Sequence, residues 1–280
     1  MEEKEKLVNK VKRLIRRAGL PRRLHHFGPK TYEFWHHALA YLVKQECKLG
    51  YRRVTRLLRW LGKKCPCPSA LCMSFNKIPL HLWKRLLALT ASSKVHIVAI
   101  DGSGMSRPLP SPYYYKRIDK PYPIEIPLKL SMAIDTRTKK ILSLRLRAKK
   151  SHDIRDAKYL IKHLPATPNK IVADKAYDAN WLHKYCSNLS IQAVIPARDY
   201  GSKKIPRYNT KYRKMAMKLF RKSTYNRREM AESVFSAIKK KFGASMSSAT
   251  FHAQRAEMYC RAITHNIIFY LNGLFERSRF

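Results

Sequence analysis

Asp101, Asp174 and Glu232 are the residues of this chain best suited to do chemistry. Carboxylates are scarce here: 18 Asp and Glu stand against 59 Lys and Arg, a formal net charge of +41. Asp101 closes the apolar run KVHIVAID and is followed at once by Gly102-Ser103-Gly104, while Asp174 closes a second such run, KIVAD. Short runs rich in Val and Ile, bounded by glycine or turn residues, predict buried strands. Two strands that each end in Asp can deliver two carboxylates to one point on the edge of a sheet. Glu232 lies in YNRREMAESVFSAIKK, a predicted helix. At about 100° per residue, Tyr225, Arg228, Glu232 and Lys239 follow one another at steps of three, four and seven and share a face. Met230, Val234 and Ile238 occupy the far side and are expected to bury against the sheet.

Three carboxylates gathered among positive residues suit a two-metal phosphoryl-transfer site. Mg²⁺ or Mn²⁺ takes hard oxygen ligands and keeps some waters, so one or two carboxylates per ion suffice. Ions about 4 Å apart activate the attacking water or 3′-hydroxyl and stabilise the leaving oxygen. Arg228 and Lys239 would hold phosphates. Each residue also has a plainer role open to it. Asp101 suits a turn or cap, and Arg228, Glu232 and Lys239 suit a salt-bridged helix surface. Glu229 is a second candidate for the third ligand, about 60° around the helix from Glu232. His152 and Asp153 are candidates for the border of the site. Asp178 reads as a cap for the following helix. Asp135 reads as a hairpin-turn residue in Asp135-Thr136-Arg137-Thr138. Asp119, Glu125 and Asp156 carry nothing that separates them from surface acids.

The elements that must position these residues follow from periodicity. Predicted strands are Val95–Asp101, Leu128–Ile134, Ile141–Leu146, Lys170–Asp174 and Ile191–Ile195. Helices are predicted over 153–163, with Ile154, Ala157, Leu160 and Ile161 inward, over Ala179–Cys186, and over Tyr225–Phe242 and Phe251–Phe275. Ser106–Pro127 reads as a long loop rich in Pro and Tyr, and Tyr200–Lys222 as a basic block without strong periodicity. This order suits an α/β fold: a mixed five-stranded sheet with flanking helices.

The N-terminal third reads differently. Residues 31–48 predict a helix with Phe34, Ala38, Tyr41 and Leu42 on one face, Thr31 as N-cap and Gly50 as terminator. Residues 52–61 predict a second, with Val54, Leu57, Leu58 and Leu61 inward, Arg52, Arg53 and Arg56 outward, and Gly62 as the stop. A short helix over Ala70–Asn76, capped by Ser69, and another over Leu80–Leu89 follow. Between Glu46 and Asp101 there is no acid but 11 Lys or Arg, and between Asp199 and Glu229 the same holds. Acid-free basic blocks predict nucleic-acid contacts, and the short helices suit a helix-turn-helix arrangement. The chain therefore divides into residues 1–90, a helical DNA-binding region, and residues 94–275, a catalytic domain. No run approaches the roughly 20 apolar residues of a membrane span, and the charged N-terminus lacks the apolar core of a signal peptide. The six cysteines are expected to be reduced thiols, and Cys65, Cys67 and Cys72 lack the spacing of a zinc module. The expected location is cytoplasmic, with the nucleoid.

Over Lys94–Phe269 the chain resembles the insertion-sequence DDE transposases of bacteria and archaea. The most specific motif is Tyr, two residues, Arg, three residues, Glu, six residues, Lys, met at every position by Tyr225, Arg228, Glu232 and Lys239. Asp101 in AIDGS and Asp174 in ADKAYD match the strand-end acids, and Lys175, Tyr177 and Asp178 fit the same run. The 58 positions from Asp174 to Glu232 leave no room for the large insertion domain of some relatives. The resemblance implies an RNase H-like catalytic core in which Asp101, Asp174 and Glu232 bind two Mg²⁺ or Mn²⁺. It also implies that Tyr225 and Arg228 contact DNA near the cleaved end. Lys239, Lys175, Arg52, Arg53 and Arg56 complete the expected DNA-binding set. The implied activity is hydrolysis at transposon ends and transfer of the 3′-hydroxyl into target DNA, by a homodimer or higher oligomer on DNA. Two alternatives stand beside it: an RNase H-like nuclease without strand transfer, and a catalytically unused DNA-binding protein derived from a transposase.

Overall fold

The structure, a computed structural model, describes residues 2–24, 30–91, 94–109, 111–123, 126–198 and 210–277. Glu125 and the first part of the basic block, residues 200–209, lie outside the described residues. The chain forms two compact units: Met1–Thr90 with Lys240–Phe280, and Ala91–Lys239.

The first unit is helical, with α1 (Glu2–Arg17), α2 (Phe34–Glu46), α3 (Tyr51–Trp60), α4 (Pro68–Lys77) and α5 (Leu80–Thr90). Its core joins Phe34, Tyr41, Leu71, Phe75, Trp83 and Leu87. The Tyr41 and Phe75 rings meet edge-on at 4.9 Å, and the Tyr41 hydroxyl donates to the Leu71 carbonyl at 3.0 Å. Several predicted helix ends are corrected. Glu33, not Thr31, precedes α2, and its N–H donates to His36 Nδ1 at 3.1 Å. Cys47 ends α2, and Gly50 instead starts α3 by accepting from Val54 N–H. Gly62 does stop α3, at φ +67° with its N–H bonded to the Arg59 carbonyl. Cys67, not Ser69, precedes α4. The inward face of α3 is Val54, Thr55 and Leu58; Leu57 is half-buried and Leu61 exposed.

The second unit carries the sheet. In chain order it contains β1 (Ile97–Ser106), α6 (Pro112–Arg117), β2 (Pro127–Asp135), β3 (Ile141–Arg147), α7 (Ile154–Lys162), β4 (Lys170–Ala173), α8 (Asn180–Asn188), β5 (Gln192–Val194), α9 (Lys211–Lys218), α10 (Lys222–Tyr225) and α11 (Glu229–Phe242). The strand order is β3-β2-β1-β4-β5, with β2 antiparallel to β1 and β3, and β4 and β5 parallel to β1. This is the RNase H-like mixed sheet. Apolar residues of alternate strand positions, Val98 and Ile100, Ile171 and Ala173, Ala193 and Ile195, pack with Ala157, Leu160, Ile161 and Leu182 of α7 and α8 in one core. Asp135 turns the β2–β3 hairpin as expected, accepting from Arg137 N–H at 3.1 Å and from the Thr138 hydroxyl at 2.5 Å.

The predicted loop Ser106–Pro127 contains α6, and the second basic block contains α9 and runs into the start of α10. The predicted helix Tyr225–Phe242 is broken: α10 ends at Tyr225, a 3-10 turn covers Asn226–Arg228, and α11 begins at Glu229. Ala231, Val234, Phe235 and Ile238 form its buried side, whereas Met230 is half-buried.

The last helix, α12 (Phe251–Arg277), packs against α5, α2 and α4 and so belongs to the first unit. Asn266 Nδ2 donates to Thr90 Oγ1 at 2.9 Å, both buried. The compact units thus group residues differently from the division into 1–90 and 94–275, because the inward face of α12 finds its partners among the N-terminal helices. Among the described residues no helix is long and apolar enough to cross a membrane.

Two buried acids tie this fold to pH. Asp178 accepts from His183 Nε2 at 3.0 Å, from Arg198 N–H at 2.7 Å and from Arg213. It is therefore a buried tie between α8 and α9 rather than the cap of α8, a position held by Ala179. Glu257 accepts from Ser247, Ser248 and Arg261. Burial works against both charges, but these donors hold both pKa values below the ordinary carboxylate range. Each lowered carboxylate contributes stability that is complete above its unfolded pKa, near 4, and is lost as pH falls through the lower folded value. The thermal midpoint is thus expected to hold steady from neutrality to about pH 5 and to fall below pH 4. Asp178→Asn should flatten that fall.

Candidate active site at the rim of the sheet

The geometry of the site begins with strand register. In the parallel ladder Ile100 stands opposite Ala173, and both side chains enter the core beneath α7 and α8. Their successors Asp101 and Asp174 must therefore sit side by side on the other face, because side chains alternate and neighbouring strands lie about 4.8 Å apart. One expectation is corrected. Asp101 does not end its strand: β1 continues to Ser106 against β2, with Asp101 opposite Met132. It is β4 that stops, at Ala173, so Asp101 marks the point where β1 outruns its parallel neighbour.

The 3-10 turn before α11 packs against β1 and β4 and brings Arg228 to this rim. Arg228 Nη1 lies 2.5 Å from Glu232 Oε1 and 3.5 Å from Asp101 Oδ2. Lys239, two turns beyond Glu232, donates to Ser103 Oγ on β1 at 2.8 Å. Asp101 Oδ1 accepts from Gly102 N–H at 2.8 Å, and Asp174 Oδ1 from Lys175 N–H at 2.7 Å. The chain thus draws Asp101, Arg228, Glu232 and Lys239 to one rim, and Asp174 follows directly on Ala173, the ladder partner of Ile100. Tyr225 is half-buried at the end of α10, its ring 5.7 Å from that of Phe220, and Lys175 is exposed in the turn after β4. Glu229 is exposed, and the ion pair of Arg228 goes to Glu232.

Burial pushes the Asp101 pKa up, against the opposing pull of Gly102 N–H and Arg228; the charges of Asp153 and Glu232 add to the rise. Asp153 thus borders the site, where it pairs with Lys129. Its neighbour His152 is exposed. Tyr177 is fully buried nearby, and burial together with Asp153, Asp101, Asp156 and Asp174 raises its pKa, which keeps the phenol neutral. Arg228 is held above its ordinary pKa despite its burial, because Glu232 binds it.

Carboxylate oxygens at a shared rim are the hard donors that Mg²⁺ or Mn²⁺ takes, and the donor chemistry fits such ions. Among the described residues no three His, Cys, Asp or Glu side chains stand close enough to hold an ion as placed, since Arg228 lies between Asp101 and Glu232.

Residues 93–267, well over half of the chain, match the transposase DDE domain family. The chain belongs to that family. Similar solved structures include a piggyBac transposase synaptic complex with hairpin DNA, at 12% identity over 98% of this chain and 74% of that one, TM-score 0.49. The Mos1 strand transfer complex matches at 14% identity over 86% and 80%, TM-score 0.27. An intasome of simian T-cell lymphotropic virus, in complex with PP2A regulatory subunit B56 gamma, matches at 16% identity over 59% of this chain, TM-score 0.34. The chain spans 48%, about half, of that intasome chain. No curated protein matches the sequence. Transposase DDE domains generally use divalent metal ions.

In this transposase DDE domain, sequence reasoning missed three supports of the rim. Ser103 is the acceptor for Lys239, and Lys129 is the partner of Asp153. The third is Asp156, expected at the surface but fully buried. It pairs with Arg147 Nε at 2.7 Å and Arg145 Nη1 at 3.2 Å, and accepts from Ser131 Oγ at 2.9 Å. A signal for it existed: Asp156 is one turn before Leu160, on the inward side of its helix. In the first unit Arg52, Arg53 and Arg56 are exposed on α3, beside Trp60, which is 78% exposed.

Proposed function

We propose that this protein is a metal-dependent DNA transposase with Asp101, Asp174 and Glu232 as its catalytic acids. The observation that carries the reading is the shared rim: Asp101 beside Asp174 by ladder register, with Arg228 reaching both Asp101 and Glu232. These three acids would hold two Mg²⁺ or Mn²⁺, which supply charge neutralisation and a more acidic attacking hydroxyl. In the first step water attacks phosphorus at the transposon end, the P–O3′ bond breaks, and the element keeps a 3′-hydroxyl while the flank keeps the 5′-phosphate. In the second, that hydroxyl attacks a target phosphodiester, forming a new 3′O–P bond and releasing the target's 3′-hydroxyl. Neither step needs an oxidant or a nucleotide.

The protein's own side chains position these events. Arg228 exchanges its carboxylates for phosphate oxygens when DNA arrives, a trade between two charge-assisted partners. Lys239, anchored at Ser103, neutralises charge from the next turns of α11, and Lys175 and Tyr225 flank the strand. Arg52, Arg53 and Arg56 within residues 1–90 grip the element's ends, and the catalytic acids all lie in the unit Ala91–Lys239, within the expected domain 94–275. Because two ends must be joined, the working form is at least a homodimer on DNA.

The deciding experiment is incubation with the flanking DNA ends, Mn²⁺ and a target duplex. A joined product is expected; cutting without joining under every condition overturns strand transfer in favour of a nuclease. Arg228→Ala and Lys239→Ala are each expected to weaken end binding and to lower the salt dependence of binding by about one counterion. Fluorescence anisotropy across a salt series measures this.

A further inference from the structure

We propose that the cavity beside Gly104 binds a second backbone phosphate of the DNA strand whose reacting phosphate lies at Asp101. The proposal rests on the transposase reading above and adds a subsite to it. The cavity, about 490 Å³, is lined by Gly104, Pro127, Leu128, Lys129, Lys150 and Ser151. Two lysines and no acid line it. Lys129 already has Asp153 as counter-ion, so Lys150, exposed after the end of β3, supplies the excess positive charge. Ser151 Oγ is buried and has no hydrogen-bond partner among the described residues. A buried hydroxyl without a partner is costly, and a phosphate oxygen in the cavity would accept its proton.

The backbone of β1 connects this cavity to the acids. Gly102 and Gly104 alternate with Asp101 and Ser103, so they face away from the carboxylate side. A Cβ at Gly102 would strike Asp153 Oδ1 and Lys129 Nζ, which lie across the strand there, whereas a Cβ at Gly104 would meet nothing within 4 Å. A polymer that rounds the edge of β1 beyond the end of β4, from the carboxylate side to the other face, meets no side chain at Gly104, where backbone and ligand can approach closely. Gly104 is three residues beyond Asp101, about 10 Å along the strand. Successive phosphates of one strand advance about 3.4 Å along the duplex axis and also wind around it, so at this separation the cavity meets a phosphate within the first few nucleotides of the reacting one. A polyanion of regular spacing satisfies both places at once.

The test uses the full chain and a transposon-end duplex in which each phosphate flanking the cleaved bond is replaced in turn by a neutral methylphosphonate. For the wild type one flanking replacement is expected to weaken binding roughly tenfold, the cost of one lost phosphate contact. Lys150→Ala and Gly104→Leu, the second of which fills the cavity, are expected to start from similarly weakened binding and to lose nothing more at that replacement. If Gly104→Leu does not fold, Lys150→Ala and Gly104→Ala carry the comparison. The proposal is overturned if the sensitive replacement costs these variants as much as the wild type, or if no flanking replacement matters. Asp101→Ala separates it from the reading beneath it. Expected there is lost cleavage with the same pattern of phosphate sensitivity; retained cleavage would sink the catalytic assignment, while the cavity is judged on binding alone.

Discussion

Replacing Asp101, Asp174 or Glu232 with alanine, one at a time, is expected to lower Mn²⁺-dependent end cleavage by roughly 10³-fold or more. A loss of that size corresponds to about 4 kcal/mol of transition-state stabilisation. It should be accompanied by little loss of stability, and for Asp101 by a gain. Burial already raises the pKa of Asp101, so its charged form sits uneasily in the fold, and Asp153 and Glu232 add like charge. A residue that holds the structure together shows the opposite pairing of effects. Cleavage by gel and the thermal midpoint of each variant, taken together, decide the matter: activity retained in all three variants sinks the site.

Asp156→Ala is expected to produce that opposite result. Its carboxylate is fully buried between β2, β3 and α7 and binds Arg145, Arg147 and Ser131. Removing one partner of a buried pair typically costs 3–5 kcal/mol, because the remaining charges lose their counter-ion. Both arginines are about one-third exposed and regain some water, which places the expected cost near the bottom of that range, about 3 kcal/mol. That is a large fraction of the 5–15 kcal/mol by which a domain is usually stable. Denaturant unfolding should show a lower midpoint with an unchanged slope. A midpoint equal to that of the wild type would mean that Asp156 is dispensable to the packing of α7.

What was legible in the sequence was whatever a local pattern determines. The strands announced themselves because apolar alternation and turn residues act within a few positions, and Asp135 was read correctly from the turn it closes. The rim was legible because two apolar runs ended in the same residue type and the Tyr225–Lys239 spacing is regular. What escaped depended on distant partners. Asp156 looks like any exposed acid until Arg145 and Arg147 reach it from β3. Asp178 resembled a helix cap until Arg213, 35 residues away, supplied its counter-charge. The break between Tyr225 and Glu229 was invisible for a related reason. Hydrophobic spacing continues through it, while packing against β1 and β4 decides that the backbone tightens there.

The unequal reach of the two neighbours of β1 also sets how the backbone breathes. From Val98 to Ile100 it is flanked by a strand on both sides, whereas from Asp101 to Ser106 only β2 accompanies it. Deuterium uptake should therefore be slow before Asp101 and faster after it, a gradient within a single strand. The Asp101 carboxylate stands at the changeover, anchored from behind and yielding ahead, where the proposed reaction would need the backbone to give way to an incoming double helix.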